Sequence, residues 1–237
     1  MDIKTVMEKS GAYVVSERRR YEHGFPERPQ LTKPAVAISY KIGTGTPEVA
    51  EGLLRAFQKT DDPGSETWEI FNHQLVEKAL HEQRWPKKLA ESIKEEKRFF
   101  IDEWVDDLLS LRPPSWVLMP QVIETTRKLA MTGHAILVGH GTTFVTADLP
   151  NVFHIRLTGS VAKRIERVQM SRGLTHEDAG KLVKTEDHKR DKFVRAHFHV
   201  HPDKELLHDV TVNTDRVSTA DTVAILFDAA RRFFSTL

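Results

Sequence analysis

The chain has 237 residues, enough for one α/β domain with an insertion or for two small domains, and either can bury an ordinary core. Lysine and arginine number 35 against 34 aspartates and glutamates, a formal net charge of +1, so no global basic field points to nucleic acid. Cysteine is absent, which excludes disulfides, a thiolate metal site and a cysteine nucleophile and fits an intracellular protein.

Residues 1–34 are polar, charged and proline-punctuated, and read as an N-terminal arm. Its Arg18, Arg19 and Arg20 are diluted by Glu17, Glu22 and Glu27 and need no partner. The segment lacks the continuous apolar core of a signal peptide, and no later stretch approaches the roughly 20 apolar residues of a membrane span. The expectation is a soluble, cytoplasmic protein.

The stretch Lys33 to Leu54, KPAVAISYKIGTGTPEVAEGLL, reads as strand, phosphate loop and helix. The apolar run from Ala35 to Ile38 suits an inner parallel strand, and Pro47 suits a first helical turn. Gly43 and Gly45 permit a tight turn that gathers backbone N–H groups at the positive end of the helix dipole, which attracts phosphate. Against the pattern G-x-x-x-x-G-K-[ST], Lys41 and Thr46 fall on the glycine positions, Pro47 on the lysine and Glu48 on the hydroxyl. The anion cradle is retained while its cation is not.

Beyond the turn cluster TDDPGSE, Trp68 to Leu80 carries apolar residues at helical spacing, and a second helical pattern runs from Pro86 to Leu111, ending at Pro113-Pro114. Gln121 to Met131 predicts a helix closed by Gly133, His134-AILVG a second buried strand, and Val152 to Leu157 a third. Ser160 is an N-cap for a helix over Val161 to Ser171 that stops at Gly173, and Thr175 with Asp178 opens another. Asp209 to Asn213 reads as the last strand, and Ser218 with Asp221 as the capping pair of a helix reaching Phe234. Alternating strands and helices imply an α/β fold, a parallel sheet with helices on both faces, with ligands beyond the strand C-termini at Ser39, Gly139, Thr158 and Asn213.

Several of these pieces together resemble the cytidylate-kinase-like family of P-loop nucleoside monophosphate kinases, from about Ala35 to Phe234. AISYKIGTGTPEVA is similar to the family's strand and glycine loop, WEIFNHQLVEKAL to its nucleotide-side helix, and AILVGHGTTF to a strand ending in Gly-Arg-Gly. FHIRLTGSVAKRIERV, KTEDHKRDKF and HDVTVNTDRVS resemble its arginine-bearing helix, lid and last strand. The resemblance implies a P-loop NMP-kinase-like domain over 35–237, with a helical acceptor-side insertion at 67–119 and a lid at 173–202. It implies ATP and Mg²⁺ as cofactors, and a nucleotide or other phosphorylated small molecule as partner, without nucleic acid or membrane; a protein partner stays open.

Phosphoryl transfer needs little covalent help, being accelerated by alignment and charge neutralisation. Arg164 and Arg167 lie at i, i+3 on one helix face, and Lys184, Asp187 and Arg190 repeat that spacing in the expected lid. By resemblance Arg164, Asp187 and Arg190 are catalytic. Lys41, Gly43, Thr44, Gly45, Thr46, Arg167 and Lys184 then bind phosphate or nucleotide, and Asn72 and His140 face the acceptor.

The departures from the family point one way. Pro47 replaces a basic residue, Asn72 an acidic one and His140 the arginine of Gly-Arg-Gly, while Glu186 stands where related lids carry arginine. Two readings stay open: ATP-dependent phosphoryl transfer to a nucleoside monophosphate or related small acceptor, and a catalytically degenerate, pseudokinase-like nucleotide sensor or scaffold.

His197, His199 and His201 alternate as metal ligands on one strand face would, but no carboxylate pattern supports them and no metal is assigned. Ser39, Ser160 and Ser218 lie outside any G-x-S-x-G elbow, so a serine hydrolase has no support. Trp68, Phe71, Phe100, Trp104 and Trp116 read as packing residues.

Overall fold

A computed structural model of the chain describes residues 33–60, 67–72, 119–139, 141–198 and 207–236. The expected arm, most of the helical insertion, His140, His199 and His201 lie outside these residues, as does the side chain of His197.

Five strands, β1 (Ala35–Tyr40), β2 (Glu69–Asn72), β3 (Ala135–Val138), β4 (Val152–Thr158) and β5 (Val210–Asn213), form one sheet in the order β2-β3-β1-β4-β5. Every pairing is parallel, with Ala35 opposite both Ala135 and Val152. Parallel pairs need crossovers. These contain α1 (Thr46–Thr60), α2 (Met119–Thr132), α3 (Thr142–Thr146), α4 (Val161–Arg172) and α5 (His176–Phe198), and α6 (Thr219–Phe234) follows β5.

Alternation along β1 divides the core. Val36 and Ile38 face Val49, Leu53 and Phe57 of α1 and Leu226 and Ala230 of α6, whereas Ala35 and Ala37 face Ala130 of α2 with Leu137 and Leu149. Helices therefore cover both faces, as the sequence implies, and β1 is buried on both sides. A third cluster joins Ile165 and Val168 of α4 to Ala179 and Val183 of α5 and takes in Ile42, the second residue after β1.

Most predicted boundaries agree to within two residues. One segment does not: the helix expected from Trp68 begins instead as strand β2, and its continuation beyond Asn72 lies outside the described residues. Trp68 stacks on Phe57 with ring centroids 4.0 Å apart, Glu69 N donates to His134 O at 2.9 Å, and Ile70 and Phe71 enter opposite core faces. Sheet pairing and burial on two sides override the local helical spacing. The short helix α3 has no counterpart in the sequence reading. No helix among the described residues is long and apolar enough to cross a membrane.

Candidate phosphate-binding site

The β1–α1 loop combines two left-handed glycines with a helix start. Gly43 and Gly45 have φ of 80° and 73°, values that favour glycine. Gly45 O accepts the hydrogen bond from Val49 N at 3.1 Å, so Gly45 is the N-cap of α1. A glycine cap offers no side chain to the first-turn N–H groups, which have no intrahelical acceptor, and they stay available to an anion at the positive end of the dipole. Within the loop, Thr44 Oγ1 donates to Lys41 O at 2.7 Å and lies 3.0 Å from Thr46 Oγ1.

Three arginines from α4 and α5 take the carbonyls of this segment. Arg190 Nη1 donates to Tyr40 O at 3.0 Å, Arg164 Nη1 to Ile42 O at 3.2 Å and Arg167 Nη1 to Gly43 O at 3.3 Å. Arg190 also lies over the Tyr40 ring, 4.2 Å from its centroid. Arg167 further donates to Thr214 Oγ1 at 3.0 Å and to Thr214 O, tying the loop to the end of β5. Arg164 is only 2% exposed. It forms a bidentate pair with Asp187, at 3.0 and 2.8 Å, and its Nε donates to Gly159 O at 3.1 Å. With the carbonyl oxygens held on the helix side by cations, fewer acceptors remain to repel a phosphate.

The fold thus brings Gly43, Thr44, Gly45, Thr46, Arg164, Arg167, Asp187 and Arg190 into one hydrogen-bonded region around the loop. Thr44 and Thr46 are buried and Lys41 half-buried, whereas Lys184 projects from the exposed side of α5. Asn72 is at the C-terminal end of edge strand β2, in register with Val138, with β3 between it and β1. Glu48, exposed in the first turn of α1, brings its Oε2 to within 3.7 Å of where a Cβ on Gly45 would be.

Arg172 escapes the sequence reading. It ends α4, on the same helix face as Arg164 two turns on, which was the available signal. Its Nη1 is buried without a hydrogen-bond partner among the described residues. Burial lowers its pKa from the usual arginine value, against the opposing influence of Glu186 and Tyr40. A guanidinium so placed has spare capacity for an anion.

On the opposite side of the loop, both carboxylate oxygens of Asp215 accept from Ser160 N, at 3.0 and 2.9 Å, joining β5 to the start of α4. Hydrogen bonding from Ser160, its backbone first and its side chain next, holds the Asp215 carboxyl below its ordinary value, with Arg167 and Lys163 acting in the same direction.

The sequence model described as the cytidylate kinase-like family matches residues 35–216. No curated protein matches the chain. Among solved structures, an uncharacterized protein from Eubacterium ventriosum ATCC 27560 is similar with a TM-score of 0.55 and 14% identity, over 86% of this chain and 99% of that one. A gluconokinase from Sinorhizobium meliloti 1021 is similar with a TM-score of 0.50 and 12% identity, over 86% of this chain and 95% of that one. At these identities the likeness is one of fold.

Proposed function

Because the chain belongs to the cytidylate kinase-like family, we propose that it binds a nucleotide through the β1–α1 loop and transfers a phosphoryl group from ATP to a nucleoside monophosphate or related small acceptor. The observation that carries this reading is the loop itself: two left-handed glycines, a glycine N-cap, and the carbonyls of Tyr40, Ile42 and Gly43 all held by arginines. Such a cradle is built for an anion. A cytoplasmic setting, inferred from the lack of cysteine, accompanies the reading.

In the reaction an acceptor oxygen attacks the γ-phosphorus, the bond to the bridging oxygen breaks, and ADP leaves with that electron pair. The first-turn N–H groups of α1 hold the phosphates, Arg164 and Arg167 keep the loop in shape, and Arg172 and Lys184 supply charge toward the moving group. Mg²⁺ commonly binds through one or two carboxylates together with substrate phosphates, where it neutralises developing charge. Glu48 at the loop and the Thr46 hydroxyl fit that requirement, whereas Asp187 is already engaged by Arg164.

A second reading, a sensor or scaffold that binds nucleotide without turnover, has its own support. Arg164, expected to be catalytic, is 2% exposed and occupied by Asp187, Gly159 and Ile42. Pro47 leaves the phosphate-loop lysine position without charge.

Calorimetry with ATP and Mg²⁺, followed by a coupled assay with CMP, UMP and AMP, separates the readings. Turnover that falls at least about tenfold in Arg172→Ala, with folding intact, supports transfer. Binding without turnover supports the sensor, and failure to bind any nucleotide overturns both. Pro47→Lys raises turnover if the missing cation limits the reaction.

A further inference from the structure

A chain of polar groups runs from an exposed carboxylate through the buried His154, Thr146 and Thr142 on the α2 side of the sheet and ends at the acceptor side of the site. It starts at Asp209, just before β5, whose Oδ2 accepts from His154 N at 2.7 Å and lies 3.5 Å from His154 Nδ1. Asp209 N in turn donates to His154 O at 2.8 Å, and the adjacent His208 is held by Ser39 of β1 at 2.8 Å. The His154 ring, 6% exposed, reaches Thr146 Oγ1 with Nε2 at 3.0 Å. Thr146 Oγ1 donates to Thr142 O at 2.8 Å, and Thr142 Oγ1 donates to Gly139 O at 2.8 Å.

The proton count fixes the direction. A threonine hydroxyl has one proton, and that of Thr146 goes to Thr142 O. The hydrogen bond between His154 and Thr146 is therefore donated by Nε2–H. Asp209 lies beside the other ring edge, where its Oδ2 is held by the backbone His154 N.

This chain matters because α3 cannot hold itself. It has five residues, TTFVT, and its N-cap Gly141 provides no side-chain hydrogen bond. A helix this short and rich in β-branched residues has no independent stability. Among the described residues two side-chain ties hold it: the His154 chain from the sheet, and Arg127 of α2, whose Nη1 donates to Val145 O at 2.8 Å. The His154 chain ends on the Gly139 carbonyl, at the C-terminal end of β3 beside the phosphate loop, where an α/β fold places its ligands.

We infer that His154 is a positioning residue for the acceptor: acting through Thr146 and Thr142, it ties the start of α3 to Gly139 at the end of β3, the strand end at which the acceptor nucleotide binds. The inference rests on the functional reading above. A ring that served packing alone would need neither Asp209 nor the two threonines, and a buried polar chain is costly unless all its members are paired.

The test compares His154→Leu, His154→Gln and Thr146→Val, using hydrogen exchange and separate calorimetric titrations with ATP and with CMP. Exchange of the 139–146 backbone rises about tenfold in His154→Leu and Thr146→Val, as for loss of one hydrogen bond, while β1 and α1 keep their protection. CMP affinity falls by about the same factor and ATP affinity is unchanged. The glutamine variant, which retains an N–H donor, recovers most of the loss. Exchange that rises uniformly or not at all, or ATP and CMP affinities that fall together, overturns the inference. If His154→Leu does not fold, Thr146→Val decides the matter, since it removes only a hydroxyl. Should the wild type bind neither nucleotide, the functional reading fails, and the exchange pattern alone decides whether His154 positions the start of α3.

Discussion

Gly43 shows how tightly the phosphate loop is fitted. A Cβ there would lie 2.5 Å from the carbonyl oxygen of Arg164, at a φ of 80°. Gly43→Ala therefore incurs strain of about 1–3 kcal/mol at least and separates the loop from α4, measurable as a lower unfolding temperature together with weakened nucleotide binding. Arg164 sits opposite. Removing it leaves the Asp187 carboxylate, with a side chain only 22% exposed, without its partner, so Arg164→Ala destabilises by about 3 kcal/mol or more. Arg164→Lys restores charge but not the two-pronged contact, and recovers only part of that loss in chemical unfolding. Arg172→Ala should leave stability nearly unchanged, because its Nη1 has no partner among the described residues to lose. At Asp209 burial pushes the carboxyl pKa up, but the His154 hydrogen bonds and charge outweigh it and the net direction is downward. A depressed carboxyl contributes stability above the unfolded carboxylate pKa and loses it as pH falls through the folded value. Unfolding temperatures of wild type and Asp209→Asn should differ at neutral pH and converge in acid.

Helices announced themselves where their ends carry chemistry. Ser160 Oγ accepts from Lys163 N at 3.3 Å, Gly173 closes α4 at a φ of 62°, and Ser218 Oγ accepts from Asp221 N at 3.1 Å. Both helices were legible from these caps alone, and Ser218→Ala should lower stability by about 1 kcal/mol in thermal unfolding. Strand β2 was not legible, because what makes residues 69–72 a strand is β3 and the Phe57 ring, neither of which is local to it. Helix α3 was hidden for a related reason: Thr142, Thr143, Val145 and Thr146 have strand-like preferences, and the ties that hold them come from His154 and Arg127.

At the scale of the whole molecule, the parallel sheet and the position of the loop followed from apolar runs and glycines. The sequence singles out the arginines at 164, 167 and 190, but not the loop carbonyls that they meet. Arg164 meets Ile42 across 122 residues and Arg190 meets Tyr40 across 150, separations that no periodic pattern encodes.

The proposed phosphate cradle is made by one part of the chain and held by another. Its carbonyls are gripped only while α4 and α5 are seated, so the population of competent loop and the population of docked helices are one quantity. By linkage, any ligand that selects the gripped loop must strengthen helix docking by the same free energy with which docking strengthens the ligand. At a hundred times its dissociation constant, a nucleotide would add about 2.7 kcal/mol to that docking. Protection from proteolysis along residues 161–198, well removed in sequence from the loop, then serves as a titration of the loop.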